Sequence, residues 1–263
     1  VSPTYSQEIL TPEYGCGLQD FLESRKETVS GILNGIDQTI WDPSTDTAIH
    51  HNFNLDTLAI RIKNKLALQT EFGLVRDEKI PLIILISRMD QQKGIDIAIN
   101  GLRQVMDKPM QIIFLGTGDP FIEASCRSLE SEFPDRVRAV LRFDLNLSRR
   151  MYSGGDILVI PSRYEPCGLT QMIAMRYGCI PLARATGGLK DTIKDQKDGD
   201  NNNGFLFENS TSDSFSQTML RAVNIYDQTK IWKKLQINGM NTDFSWEKSA
   251  LEYAKIYLKL KGA

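Results

Sequence analysis

The sequence is short of histidine, scattered in its cysteines, free of long apolar runs and without a basic excess, and each shortage removes a class of function. The two histidines, His50 and His51, are adjacent in polar surroundings and read as a solvated loop. No other His is present to complete a Ser-His-Asp triad or a His-rich metal site. The four cysteines, Cys16, Cys126, Cys167 and Cys179, form no Cys-x-x-Cys pair. That argues against a disulfide framework or a zinc site, and for free thiols in a reducing compartment. No apolar stretch reaches the roughly 18 residues of a membrane span, and the N-terminus carries no secretory signal. A net charge of −2, from 31 Lys and Arg against 33 Asp and Glu, argues against a general nucleic-acid binder but leaves room for a local basic pocket. What is present, 263 residues of which 41% are hydrophobic, suits one large domain or two small ones with a sizeable core. The chain opens on Val1-Ser2-Pro3 without an initiator Met, which gives the expectation of a fragment or a processed product.

The middle of the chain alternates short apolar runs with amphipathic segments. The runs are 81–86, 111–115, 136–141, 156–160, 179–183 and 204–207, each of strand length and rich in β-branched or aromatic residues. Most lack polar alternation, as strands buried on both faces do. Between and after them, 95–106, 120–133, 169–177, 214–226 and 231–240 carry apolar residues at spacings of three and four. This order predicts an α/β fold, a doubly wound parallel sheet with helices on both faces and right-handed crossovers. In such sheets ligands bind outside the carboxyl ends of the strands, near the topological switch point. Residues 1–52, rich in turn signals such as Asn34-Gly35 and Asp42-Pro43, read as an extended connecting region, and 55–72 as a helix. The tract 198–203 reads as a mobile polar loop. Ser245 reads as the N-cap of a closing helix.

Four loops after strands hold the chemistry. In the first, Arg88 and Lys93 straddle a turn leading into a helix, where two cations and free backbone N–H groups make a phosphate site; the plain alternative is two solvated surface cations. In the second, Gly116-Thr117-Gly118 resembles the start of a dinucleotide fingerprint. It lacks the third glycine, since position 121 is Phe121, and serves equally as a tight turn before a Pro-initiated helix. The third, 161–171, ends a strand at Pro161, sets the carboxylate Glu165 in a short loop and places Gly168 before a helix. A carboxylate beside an anion site suits a hydroxyl-bearing or cationic centre, and a sugar nucleotide supplies both. The fourth, Arg184-Ala185-Thr186-Gly187-Gly188-Leu189, reads as a tight turn or as a second backbone approach to the same ligand.

The runs 162–171, 174–178 and 184–192 resemble the signature of the bacterial glycogen synthases and plant starch synthases. Further segments agree in order and spacing: 1–5, 31–37, Ser87-Arg88 with Gln92-Lys93-Gly94, and 243–246. The resemblance covers essentially the whole chain. It implies the C-terminal, donor-binding lobe of the two-lobed GT-B architecture, a Rossmann-like parallel sheet with helices on both faces. Residues 1–52 become the interlobe connection from the end of the N-terminal lobe, 53–241 the sugar-nucleotide-binding domain, and 242–263 a helix that packs back toward the N-terminal lobe. The Lys-x-Gly-Gly-Leu signature of that lobe is absent, and so is its glucose-contacting His.

The implied activity is α-retaining transfer of glucose from ADP-glucose to the non-reducing end of an α-1,4-glucan. UDP-glucose, another acceptor such as fructose or a glucose phosphate, and a non-catalytic nucleotide-binding module are the alternatives. By the resemblance Arg88 and Lys93 neutralise the donor diphosphate, and Glu165 sits by the transferred glucose. Backbone N–H groups around Cys167, Gly168, Leu169 and Thr170 reach glucose hydroxyls and the distal phosphate. Phe143 takes the place where relatives often carry a Tyr stacked on adenine, and Gly116, Gly118, Thr186, Gly187 and Gly188 line the donor. The second Glu of the Glu-x7-Glu pattern found in many retaining GT-B enzymes is Ile173 here, as in the synthases. No metal and no cofactor is expected beyond the donor. The implied partners are ADP or ADP-glucose and a glucan held through the other lobe, with no nucleic acid and no membrane. The implied setting is the cytoplasm for a bacterial source, or the plastid stroma for an alga or plant.

Overall fold

The computed structural model describes residues 1–262. Two short helices, α1 (Pro3–Glu8) and α2 (Gln19–Glu23), precede α3 (Arg61–Glu71). The alternating body follows as β1 (Leu82–Ile86), α4 (Ile95–Arg103), β2 (Gln111–Leu115), α5 (Pro120–Glu132), β3 (Val137–Val140), α6 (Leu145–Gly154) and β4 (Ile157–Ile160). It continues with α7 (Thr170–Arg176), β5 (Ile180–Arg184), α8 (Gly187–Thr192), β6 (Phe205–Phe207), α9 (Ser212–Tyr226), α10 (Thr229–Asn241) and α11 (Trp246–Lys261). All six apolar runs are strands. They pair in parallel in the order β3-β2-β1-β4-β5-β6, so the switch point lies between β1 and β4.

Two hydrophobic cores sandwich the sheet because successive strand side chains point to opposite faces. Ile83, Leu85, Ile112 and Phe114 join one core with Ile95, Ile99 and Phe215, whereas Leu82, Ile84, Ile113 and Leu115 join the other with Leu68, Met151 and Met172. Both faces being apolar explains the lack of polar alternation. At the amino end of the sheet, Lys65 is buried with its ammonium 2.7 Å from Asp156, 2.8 Å from the Glu78 carbonyl and 2.6 Å from the Tyr226 hydroxyl. Three protons meet three acceptors, the condition under which a buried cation is tolerated.

Residues 1–52 differ from the extended stretch the sequence suggests. Pro3 opens α1 behind the N-cap Ser2, whose hydroxyl accepts from Tyr5 N, and the helix packs on α8. Helix α6 is a further element beyond the sequence reading, with Asp144 accepting from Leu147 N at 2.9 Å as its N-cap. The polar tract 198–203 is tied rather than loose. Asn203 accepts from Lys194 N and donates to the Thr192 carbonyl, while Asn238 donates to the carbonyls of Asp200 and Asn202. Ser245 caps α11 as read. Leu251, Tyr257, Leu258 and Leu260 on that helix are exposed.

Candidate active site

The carboxyl ends of β1 and β4 lie side by side, and the loops leaving them interlock. After β1, Asp90 caps a single 3-10 turn (Gln91–Lys93), accepting from Lys93 N at 3.1 Å. Gly94 follows with φ +63°, and a Cβ there would overlap the Pro161 carbonyl oxygen, so glycine is required twice over. From the β4 side, Arg163 reaches back with paired bonds of 2.8 and 2.7 Å to Asp96, and its N–H donates to the Gln92 carbonyl at 2.8 Å. The Arg163 guanidinium holds the Asp96 carboxyl below its ordinary range.

This interlock sets Lys93 beside Glu165, with Nζ 2.7 Å from Oε2. The same oxygen accepts from Ser162 Oγ at 2.9 Å. Glu165 is 7% exposed, so both bonds form largely out of water. Arg88 stands at the mouth, its side chain 70% exposed and 3.2 Å from Asp90. Arg88, Lys93, Ser162, Glu165 and Thr170 line one cavity of about 140 Å³. The three side chains singled out from the sequence are therefore brought together from two loops more than seventy residues apart. A cavity of about 720 Å³, between 31–34 and the ends of α10 and α11, is lined by none of them.

Cys167 to Thr170 lead into α7. Gly168 has φ +69°, and the Gln171 amide pins the turn by donating to the Cys167 and Gly168 carbonyls and to Thr192 Oγ1. Among the described residues, the N–H groups of Cys167, Gly168, Leu169 and Thr170 meet no protein acceptor. The Cys167 thiol is buried and accepts from Asn34 N at 3.4 Å. Burial raises its pKa, which fits a packing thiol and not a nucleophile.

The glycines of the second and fourth loops have a physical role in packing the loops on each other. Cβ atoms at Gly116 and Gly118 would overlap the carbonyl oxygens of Ser87 and Met89, and at Gly187 and Gly188 those of Glu165 and Cys167. Their missing side chains let neighbouring loops close on each other. Thr186 is likewise turned inward, its hydroxyl donating to Glu8 at 2.9 Å. Phe143 lies on the loop after β3 and is 83% exposed, a free aromatic face at the same end of the sheet. Ser162, Arg163, Asp96 and Glu8 were not singled out from the sequence. The first two fall inside the motif 162–171, whereas the others depend on contacts the fold alone creates.

Residues 69–237 match the family model described as glycosyl transferases group 1. The chain belongs to the group 1 glycosyl transferases. Among curated relatives it is 45% identical to the glycogen synthase of Kosmotoga olearia, over 98% of this chain and 54% of that one. It is 43% identical to that of Cellvibrio japonicus, over 99% and 55%. Its fold matches the catalytic domain of starch synthase IV from Arabidopsis thaliana bound to ADP and acarbose, with a TM-score of 0.92, 39% identity, and coverage of 98% of this chain and 54% of that one. The chain thus spans about half the length of the curated relatives it matches. Among the described residues of this group 1 transferase, no helix is long and apolar enough to cross a membrane. Nor do three His, Cys, Asp or Glu side chains gather as a metal site among them. Asp200, of the single Asp-x-Asp, pairs with Lys234.

Proposed function

We propose that this chain is the donor-binding half of a retaining glucosyltransferase that extends an α-1,4-glucan from ADP-glucose. The observation that carries the reading is the convergence of Arg88, Lys93 and Glu165 on one cavity at the switch point. Arg88 and Lys93 take the diphosphate and stabilise the charge that grows on ADP as the bond from glucose C1 to the phosphate oxygen breaks. Fixed cations then do the neutralising that a metal ion does in other transferases. The Glu165 carboxylate faces the transferred glucose. One of its oxygens is held by Lys93 and Ser162, and the other is left to accept a sugar hydroxyl or to offset positive charge at C1. The acceptor 4-hydroxyl attacks C1 on the face the phosphate leaves, and its proton passes to the departing phosphate oxygen. The electron pair of the broken bond leaves with ADP, and the new C–O bond keeps the α configuration.

Unpartnered N–H groups from Cys167 to Thr170 supply donors for phosphate or sugar oxygens, and the exposed Phe143 ring offers a face for adenine. The starch synthase neighbour, bound to ADP and acarbose, supports a nucleotide and a glucan as ligands. The glucan is held largely by the other lobe, to which residues 1–52 connect and toward which α11 turns its exposed apolar side chains. The matched curated relatives are bacterial glycogen synthases, which supports a cytoplasmic setting.

Calorimetry of the chain with ADP and UDP, followed by transfer of labelled glucose to maltooligosaccharides with and without the N-terminal half of a matched synthase, tests the reading. Binding that favours ADP, and transfer that appears only when both halves are present, is the expected result. ADP binding with no transfer under either condition points instead to a nucleotide-binding module.

A further inference from the structure

Helix α1 is stapled to α8 at both ends. Thr4 donates through its N–H and its hydroxyl to Asp191, at 2.9 and 2.6 Å. At the other end, Glu8 Oε1 accepts from Thr186 Oγ1 at 2.9 Å and from Gly187 N at 3.0 Å, across 178 and 179 residues of sequence. The turn that Glu8 holds rests directly on the carboxylate loop of the site. Gly188 N donates to the Glu165 carbonyl at 2.9 Å. A single methyl at Gly187 or Gly188 would overlap the Glu165 or Cys167 carbonyl oxygen. A short run of direct contacts therefore joins the Glu8 carboxylate to the Glu165 main chain, with no slack in it.

We propose that Glu8 is a positioning residue for glucosyl transfer. Its carboxylate fixes the Thr186–Gly188 turn, and through that turn it fixes the Glu165 main chain, so that Lys93 and Ser162 meet the Glu165 carboxylate in one place. The inference rests on the transferase reading of the site. Glu8 Oε2 is buried and has no partner, so the residue does not itself touch a donor or acceptor in this arrangement. An orphaned carboxylate oxygen opposes folding. An apolar side chain would fill the space without that cost, but only an acceptor of this reach meets both the Thr186 hydroxyl and the Gly187 N–H.

The test compares Glu8→Ala and Glu8→Gln in the full-length enzyme, reading kcat, ADP affinity and amide exchange at 165–168 and 186–189. Glu8→Ala is expected to lower kcat about tenfold or more, the scale of a sub-ångström misplacement of a reacting group. It is also expected to speed exchange in both segments while leaving ADP affinity within about threefold, a loss in positioning rather than in uniform binding. Glu8→Gln keeps an oxygen that accepts both bonds and restores most of kcat. Wild-type kcat and exchange in Glu8→Ala would overturn the proposal, and so would Glu8→Gln as impaired as Glu8→Ala. Should Glu8→Ala fail to fold, Thr186→Val, which removes one of the two bonds, is expected to give a partial loss of kcat with a folded protein, and full activity there overturns it. A wild-type enzyme that neither binds ADP nor transfers glucose refutes the transferase reading instead. The exchange measurement then decides the Glu8 linkage alone, with unchanged exchange at 165–168 counting against it.

Discussion

Lys93 Nζ and Glu165 Oε2 stand 2.7 Å apart, an ion pair that joins the loop after β1 to the loop after β4 with both side chains largely out of water. Removing one partner strands the other. Lys93→Ala leaves a mostly buried carboxylate with only Ser162 as donor, and is expected to destabilise the protein by about 1–3 kcal/mol. Adding Glu165→Gln removes the stranded charge, so the double variant is expected to be more stable than Lys93→Ala alone. Urea denaturation of the four proteins gives the coupling, and strictly additive losses would show that the pair carries no energy.

Arg88 is the opposite case. Its side chain is 70% exposed and its ion pair with Asp90 lies at the surface. Arg88→Ala is therefore expected to change stability by no more than about 0.5 kcal/mol. Glucosyl transfer by the full-length enzyme is expected to fall by about two orders of magnitude, because a cation fixed on a leaving diphosphate acts chiefly in the transition state. A thermal melt beside an activity assay separates the two effects, and near-wild-type turnover would remove Arg88 from the reaction.

Phe143 presents a free ring and packs little against the protein. If adenine stacks on it, Phe143→Ala weakens ADP binding by about 1–3 kcal/mol, and Phe143→Tyr does not. Calorimetry with ADP on the three proteins checks this. Equal affinities would place the base elsewhere.

Gly188→Ala drives a methyl into the Cys167 carbonyl, whereas a Cβ at Gly199 meets nothing within 4 Å. The first is expected to cost upward of about 3 kcal/mol, since backbone cannot yield as a side chain does. The second carries only the strain of its positive φ, about 1 kcal/mol. Denaturation midpoints decide, and similar losses for both would refute the tight contact between the two loops.

Burial alone would push the Asp195 carboxyl upward, but paired bonds from Arg221 and N–H groups from Leu206 and Lys197 outweigh it and hold it below the ordinary carboxylate range. A carboxylate with a lowered folded-state pKa contributes its stability in full above its unfolded value of about 3.9, and loses that contribution as pH falls through the folded value. Asp195→Asn is thus expected to lower the urea midpoint at pH 7, with the gap to wild type closing in the acid range. A constant gap from pH 7 to pH 3 would contradict the assignment.

The sheet was legible because parallel strands covered on both faces are continuous apolar runs, and Leu82–Ile86 or Ile157–Ile160 fit no half-exposed strand or amphipathic helix. The gathering of Arg88, Lys93 and Glu165 was legible because all three sit in loops that leave the carboxyl ends of neighbouring parallel strands. Helix α1, of six residues, was not, since one turn and a half leaves no periodicity to read, whereas α8, equally short, was legible only as the helix that follows a strand and a turn. The glycines carry a second signal that the sequence does not resolve. A glycine shows that something comes close, and at Gly116, Gly118, Gly187 and Gly188 the close object is the chain itself. The roles of Ser162, Asp96 and Glu8 depend on distances between loops that only the folded chain defines.

Ile36 and Ser245 pair in parallel, and Ile36 N donates to the Phe244 carbonyl at 2.8 Å. Because the two segments run the same way, the chain before Ile36 and the chain after Ser245 depart from the bridge in opposite directions. All six strands and the loops between them lie within the stretch of chain that this one bridge closes.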